Sequence, residues 1–107
     1  MIDHEKALNT LAKVGPEFAK ARGARVLLEQ SLKIVLAEQT LKSAGPSIAA
    51  REMVALTTAE YKAAVRDHAT AVEVEERYRR RLIAAEAAIE LWRSLEASNR
   101  RIDRGAA

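Results

Sequence analysis

The chain has 107 residues and a mass of 11.8 kDa, which bounds it to a single domain, since domains typically contain ~100–150 residues. It is 49% hydrophobic and 31% charged but only 4% aromatic, with four glycines and two prolines. This composition suits long helices and excludes a β-sandwich, a collagen and an ordinary disordered tail. The net charge of +3 comes from 18 basic and 15 acidic residues, a small excess that permits phosphate contact without indicating it.

The sequence also limits the compartment and the chemistry that can be expected. No apolar stretch approaches the ~18–20 residues of a membrane span, and the first five residues lack the basic start and apolar core of a signal peptide. We therefore expect a cytoplasmic protein. The chain has no cysteine, which excludes disulfides and thiolate metal sites.

Gly15 and Pro16 predict the first break in the chain. Proline is tolerated in the first turn of a helix but not in its interior, so a short helix over about 3–14 should end here and a second should run over about 16–43. Asp3 is the expected N-cap of the short helix.

The second predicted helix carries an apolar seam with steps of three and four residues, the spacing of a helix that packs along one face. The seam positions are Phe18, Ala21, Arg25, Leu28, Leu32, Val35 and Gln39. Gly23 lies inside this helix at a cost of about 1 kcal/mol relative to alanine. It is either simply tolerated or marks the close approach of another backbone.

The segment 43–47 predicts the second break, because Gly45 and Pro46 are helix stop signals and Ser47 can cap a short helix over about 48–56. Thr57 and Glu60 then form a candidate capping box.

No glycine or proline follows until Gly105, which predicts one helix over 58–104, about 70 Å long. A helix of this length must lie antiparallel against the 16–43 helix, and its overhang must project or find a partner. The predicted fold is therefore an all-α, coiled-coil-like antiparallel hairpin with short flanking helices and one long C-terminal helix.

The long helix has an uneven apolar pattern that predicts two stripes. Tyr61, Val65, His68 or Ala69, and Val72 form the first, and Tyr78, Leu82, Ala85, Ile89 and Trp92 form the second. Three glutamates between the stripes weaken the pattern, and the second stripe is rotated beyond what supercoiling absorbs. We therefore expect the two halves to face different neighbours, one of which can be a second copy of the chain.

Catalytic motifs are absent from the sequence: His4 and His68 are the only histidines, and there is no Gly-rich phosphate loop or Gly-x-Ser-x-Gly elbow. His68 is expected to be structural. The glutamates at 73, 75 and 76 fit a solvated face with a Glu73–Arg77 pair better than a metal site. We predict no catalytic, metal or cofactor site and no enzymatic activity.

Eight arginines and no lysine occupy the last third of the chain, but seven carboxylates interleave with them over 73–104. Exposed or intrachain ion pairs, contact with a protein partner and contact with nucleic acid all explain them, and nucleic acid is the weakest of these interpretations. The candidate partner-binding residues are Arg77, Tyr78, Arg80, Arg81, Trp92, Arg93 and Arg100.

Trp92 has two interpretations. It either packs in the core against the N-terminal helix or anchors an interface, where Trp and Arg are enriched. Four apolar residues fall outside the single seam of a hairpin, and covering them in a second copy would be favourable. The predicted homodimer contact is Val26, Ile34, Leu91 and Leu95.

The segment Ile89-Glu90-Leu91-Trp92-Arg93-Ser94, within a longer match over roughly 58–104, resembles small all-helical accessory proteins of unassigned function from tailed phages and prophages of proteobacteria. Their genes tend to lie among recombination and early functions, and no catalytic residues are defined for them. The resemblance implies a non-enzymatic interaction protein in the bacterial host cytoplasm that binds a protein of DNA recombination or replication. The alternatives are an inhibitor of a host defence system, such as an anti-CRISPR protein, and a direct DNA-binding accessory protein.

Overall fold

The computed structural model describes residues 3–106 and contains three α-helices over that range: α1 (His4–Lys42), α2 (Ile48–Ala55) and α3 (Ala59–Ala106). The long helices α1 and α3 pack antiparallel, and the short α2 lies between them in sequence. The predicted all-α helical hairpin is confirmed. The chain falls into two compact units, one formed by the segments before Lys20 and after Glu76 and the other by residues 20–76.

The predicted break at Gly15 and Pro16 is wrong, because α1 runs through both residues without interruption. The separate flanking helix over 3–14 is the first part of α1. A proline inside a helix costs about 3 kcal/mol, since it removes a backbone hydrogen bond and its ring crowds the preceding turn. Packing offsets this cost on both sides of the proline: Ala7 and Leu11 contact α3 before it, and Phe18 contacts α3 after it.

The seam predicted for α1 is confirmed and extends back to the start of the helix. Every third or fourth residue is buried or half-buried: His4, Ala7, Leu11, Val14, Phe18, Ala21, Arg25, Leu28, Leu32, Val35 and Gln39. This spacing averages 3.5 residues, the repeat of a coiled-coil helix. It crosses Gly15 and Pro16 in unchanged register, which is why one continuous helix packs better than two.

The first unit has an apolar interior built from small and branched side chains. Ala7, Ala85 and Ile89 form its buried cluster, and Leu11 and Ala88 pack against them. Two of the five belong to α1 and three to α3, so this cluster joins the two helices. At the start of α1, Asp3 accepts a hydrogen bond from the Lys6 backbone N–H at 2.9 Å, which confirms Asp3 as the N-cap.

The second unit contains the turn after α1, and this turn confirms the second predicted break. Ser47 caps α2 by accepting a hydrogen bond from the Ala50 backbone N–H at 3.1 Å. Gly45 lies so close to α2 that a Cβ there would stand 3.2 Å from the side chains of Ala50 and Arg51. Arg51 also donates to the Gly45 carbonyl oxygen at 3.1 Å. A side chain at this position would therefore require Ala50 or Arg51 to move by a few tenths of an ångström.

The N-cap of α3 is Thr58, so the capping box predicted on Thr57 is wrong. The Tyr61 backbone N–H donates to the Thr58 hydroxyl at 3.2 Å, and the Thr57 hydroxyl instead donates to the Val54 carbonyl oxygen at 2.7 Å. Because α3 starts at Ala59, its third residue is Tyr61 and not Glu60. The N-cap side chain accepts a hydrogen bond from the backbone N–H of this third residue. Glu60 still lies in the first turn, where a carboxylate is favoured by the helix dipole.

Candidate interaction surfaces

The inward face of α3 is one continuous seam, and the prediction of two stripes rotated against each other is wrong. Its buried and half-buried positions follow steps of three and four residues without a shift: Tyr61, Ala64, His68, Ala71, Glu75, Tyr78, Leu82, Ala85, Ile89 and Trp92. Val65 and Val72, assigned to the first stripe by their hydrophobicity, are both 42% exposed. Alanines and polar residues occupy the seam positions between 64 and 75, so hydrophobicity alone marks the wrong face there.

Glu75 is a charged residue on the α3 seam, which is why the apolar pattern in the sequence is interrupted at this position. It is only 3% exposed and forms an ion pair with the Arg25 guanidinium, and Arg25 also contacts Glu29 at 3.2 Å. The interpretation of residues 73–76 as a solvated acidic face is therefore wrong for Glu75. A buried carboxylate requires a cation and further hydrogen-bond donors, and the seam position of Arg25 supplies the cation.

Trp92 lies at the end of the shared seam and is half-buried. Its ring stacks on His4, with the ring centroids 4.1 Å apart and the planes 17° from parallel. Such offset stacking of a large aromatic surface on an imidazole stabilises the start of α1 against α3. This is an intrachain contact of the kind that the core interpretation of Trp92 predicts, and its role as an interface anchor stays a prediction.

The arginines at 77–81 lie where α3 meets the middle of α1. The Arg79 guanidinium stands 5.3 Å from the centre of the Phe18 ring, a cation–π contact between the two helices. Arg77 and Arg80 also have polar or charged contacts within the chain, and Tyr78 is half-buried on the seam. These residues therefore contribute to intrachain packing, whatever further contacts they make.

The remaining candidate cations, Arg81, Arg93 and Arg100, are exposed. Arg93 pairs with Glu90 at 2.9 Å, one turn away on the same helix, and both side chains are largely in solvent. Exposed pairs of this kind add little to stability. Arg81 lines an open groove with Lys6 and Thr10 of α1, and Arg100 lies near the end of α3 beside Ala97.

No group of three or more metal-binding side chains occurs within residues 3–106. His68 is half-buried on the α3 seam. In the same part of the chain, no helix combines the length and the apolar character that crossing a membrane requires.

A second apolar stripe runs along α1 in the second unit, and the described residues leave it exposed. Leu27, Ile34 and Leu41 are 68%, 58% and 85% exposed, and they recur every seven residues. Ser31 and Glu38 lie between them at steps of four and three, so the stripe has the spacing of a second helix seam about 100° around α1 from the first, with polar residues at alternate positions. We call Leu27, Ile34 and Leu41 the α1 stripe.

The end of the α1 stripe borders a groove of about 570 Å³ between α1 and α2. Its apolar lining comes from Leu36, Ala37 and Leu41 of α1 and from Ile48 of α2. Lys33, Arg51 and Glu52 stand at its rim, which gives the rim a net positive charge. Sequence reasoning missed this groove, because it depends on how α2 folds back beside α1.

A separate apolar stripe lies on the last part of α3, in the first unit. Leu91, Leu95 and Ile102 are 52%, 49% and 67% exposed and form what we call the α3 stripe. The predicted dimer residues Ile34, Leu91 and Leu95 thus lie on the two uncovered stripes. Val26 is 43% exposed and lies beside the α1 stripe, at the heptad position of Lys33 and Thr40, which line the groove.

No family model matches the chain, and neither the curated proteins nor the solved structures include one similar to it.

Proposed function

We propose that the protein is a non-enzymatic interaction protein that binds an amphipathic helix of a protein partner on the α1 stripe and the adjoining groove. The observation that carries this proposal is the exposure of Leu27, Ile34 and Leu41 at seven-residue spacing. Large apolar side chains in a regular row are rarely left in water over nearly four helical turns unless another molecule covers them. Their heptad spacing matches the side-chain spacing of a partner helix better than that of an extended peptide.

The rim charges indicate which helix would bind best. Lys33 and Arg51 line the groove together with Glu52, whereas Glu38 lies on the stripe between Ile34 and Leu41. A partner helix with a carboxylate at the groove end would therefore be favoured, and the Arg51 guanidinium would bind that carboxylate. Charge at the rim would mainly increase the association rate and the selectivity.

The cellular setting that we propose is DNA recombination or replication in the cytoplasm of a phage-infected bacterial cell. It is supported by the resemblance of the 89–94 segment to phage accessory proteins. The absence of a clustered metal site within the described residues is compatible with a binding role. In such a role, the protein acts by holding a partner in place.

Photo-crosslinking in cells tests this proposal. A photoreactive amino acid at position 41 should capture one protein that processes DNA, whereas the same probe at position 8, an exposed leucine of α1 in the first unit, should not. Ile34→Asp should abolish the crosslink from position 41, because it places a charge in the middle of the stripe. Crosslinking from position 8 alone, or no crosslink at all, would contradict the proposed surface.

Two other outcomes would replace the proposed setting. Capture of a host defence protein at position 41, together with rescue of phage growth on hosts that carry that defence, would favour the inhibitor. Binding of the purified protein to duplex DNA with an affinity that falls steeply with salt would favour the DNA-binding alternative, since each neutralised phosphate releases counterions. In that case Arg100→Gln should weaken binding, and Ile34→Asp should not.

A further inference from the structure

We draw no further inference here: the strongest candidate, the exposed α3 stripe of Leu91, Leu95 and Ile102 on the last part of α3, is an unpartnered apolar helix face, and nothing in the structure shows what covers it.

Discussion

The two compact units use different side chains at equivalent seam positions. In the first unit, Ala7, Leu11, Ala85 and Ile89 pack as an apolar cluster. In the second, Arg25 and Glu75 form an ion pair on the seam, and Gln39 is buried on α1. The same heptad spacing is therefore filled by hydrophobic contact in one unit and partly by paired polar groups in the other.

This difference indicates two ways to hold a helical hairpin together. An apolar layer stabilises any register that buries it, so it adds free energy of folding but little discrimination between registers. A buried ion pair adds less stability than apolar packing but is strongly unfavourable when its partners are separated. In coiled coils a polar group at a single core position fixes register in this way. We infer that the Arg25–Glu75 pair sets the register of α1 against α3 in the second unit.

The largest expected effect comes from breaking that pair. Arg25→Leu should lower the free energy of unfolding by about 3–5 kcal/mol, because it removes the Arg25 guanidinium from the buried Glu75 carboxylate. Glu75→Leu should cost less, since the Arg25 side chain is 26% exposed and can turn its guanidinium towards water. Urea denaturation followed by far-UV circular dichroism measures both values.

The double variant is the control for this prediction. Arg25→Leu with Glu75→Leu replaces the pair by apolar contact and should return the stability to near the wild-type value. If the ion pair sets the register, the double variant should also unfold over a broader range of urea concentration than the wild type. Equal destabilisation by both single variants, with no recovery in the double variant, would contradict this account of the pair.

The second effect lies in the first unit and concerns Pro16. Since α1 is continuous there, Pro16→Ala should restore a backbone hydrogen bond and remove the ring clash, raising the free energy of unfolding by up to about 3 kcal/mol. Fluorescence of Trp92, the only tryptophan, follows this unit during unfolding. An unchanged or lower midpoint would mean that the chain does break at this proline.

Pro16 also shows that the conformational preferences of single residues do not by themselves predict where a helix ends. Gly15 and Pro16 predict a helix end from their conformational preferences, and the heptad register of Phe18 and Ala21 predicts where the helix packs. Extending that register backwards reaches Val14, Leu11, Ala7 and His4, all of them buried or half-buried. Periodicity over many turns is therefore a better guide to the continuous helix than the preferences of Gly15 and Pro16, which led to the wrong prediction of a break, because packing outweighs local preference.

The sequence predicted the hairpin, the turn at 43–47 and the α1 seam, since each depends on short-range pattern. It could not predict that Glu75 is buried, because a carboxylate enters a core only where a cation such as Arg25 stands opposite, 50 positions away. The sequence did not predict the groove between α1 and α2 either, because its lining comes from two helices whose packing is not visible in a short-range pattern. The sequence did predict that Ile34, Leu91 and Leu95 are exposed, because the seam of a hairpin covers only one face of each helix.

The smallest expected effect distinguishes two glycines of the second unit. Gly23 lies inside α1, and a Cβ built there would meet nothing within 4 Å. Among the described residues, no other backbone approaches Gly23 closely, so the interpretation that this glycine is simply tolerated fits the structure. Gly23→Ala should therefore raise the free energy of unfolding by about 0.5–1 kcal/mol, since alanine loses less backbone entropy on folding.

Gly45→Ala is the matched control, because the same added methyl group would lie 3.2 Å from Ala50 and Arg51. A contact that short forces α2 or the turn to shift, so this variant should be less stable than the wild type, and the two glycines should differ in sign under identical denaturation conditions. If Gly23→Ala also destabilises, a helix from another molecule approaches α1 at this position. That helix would lie one turn from Leu27, at the start of the α1 stripe. The variant would then report on occupation of the stripe, and its destabilisation should disappear on dilution if the neighbour is a second copy.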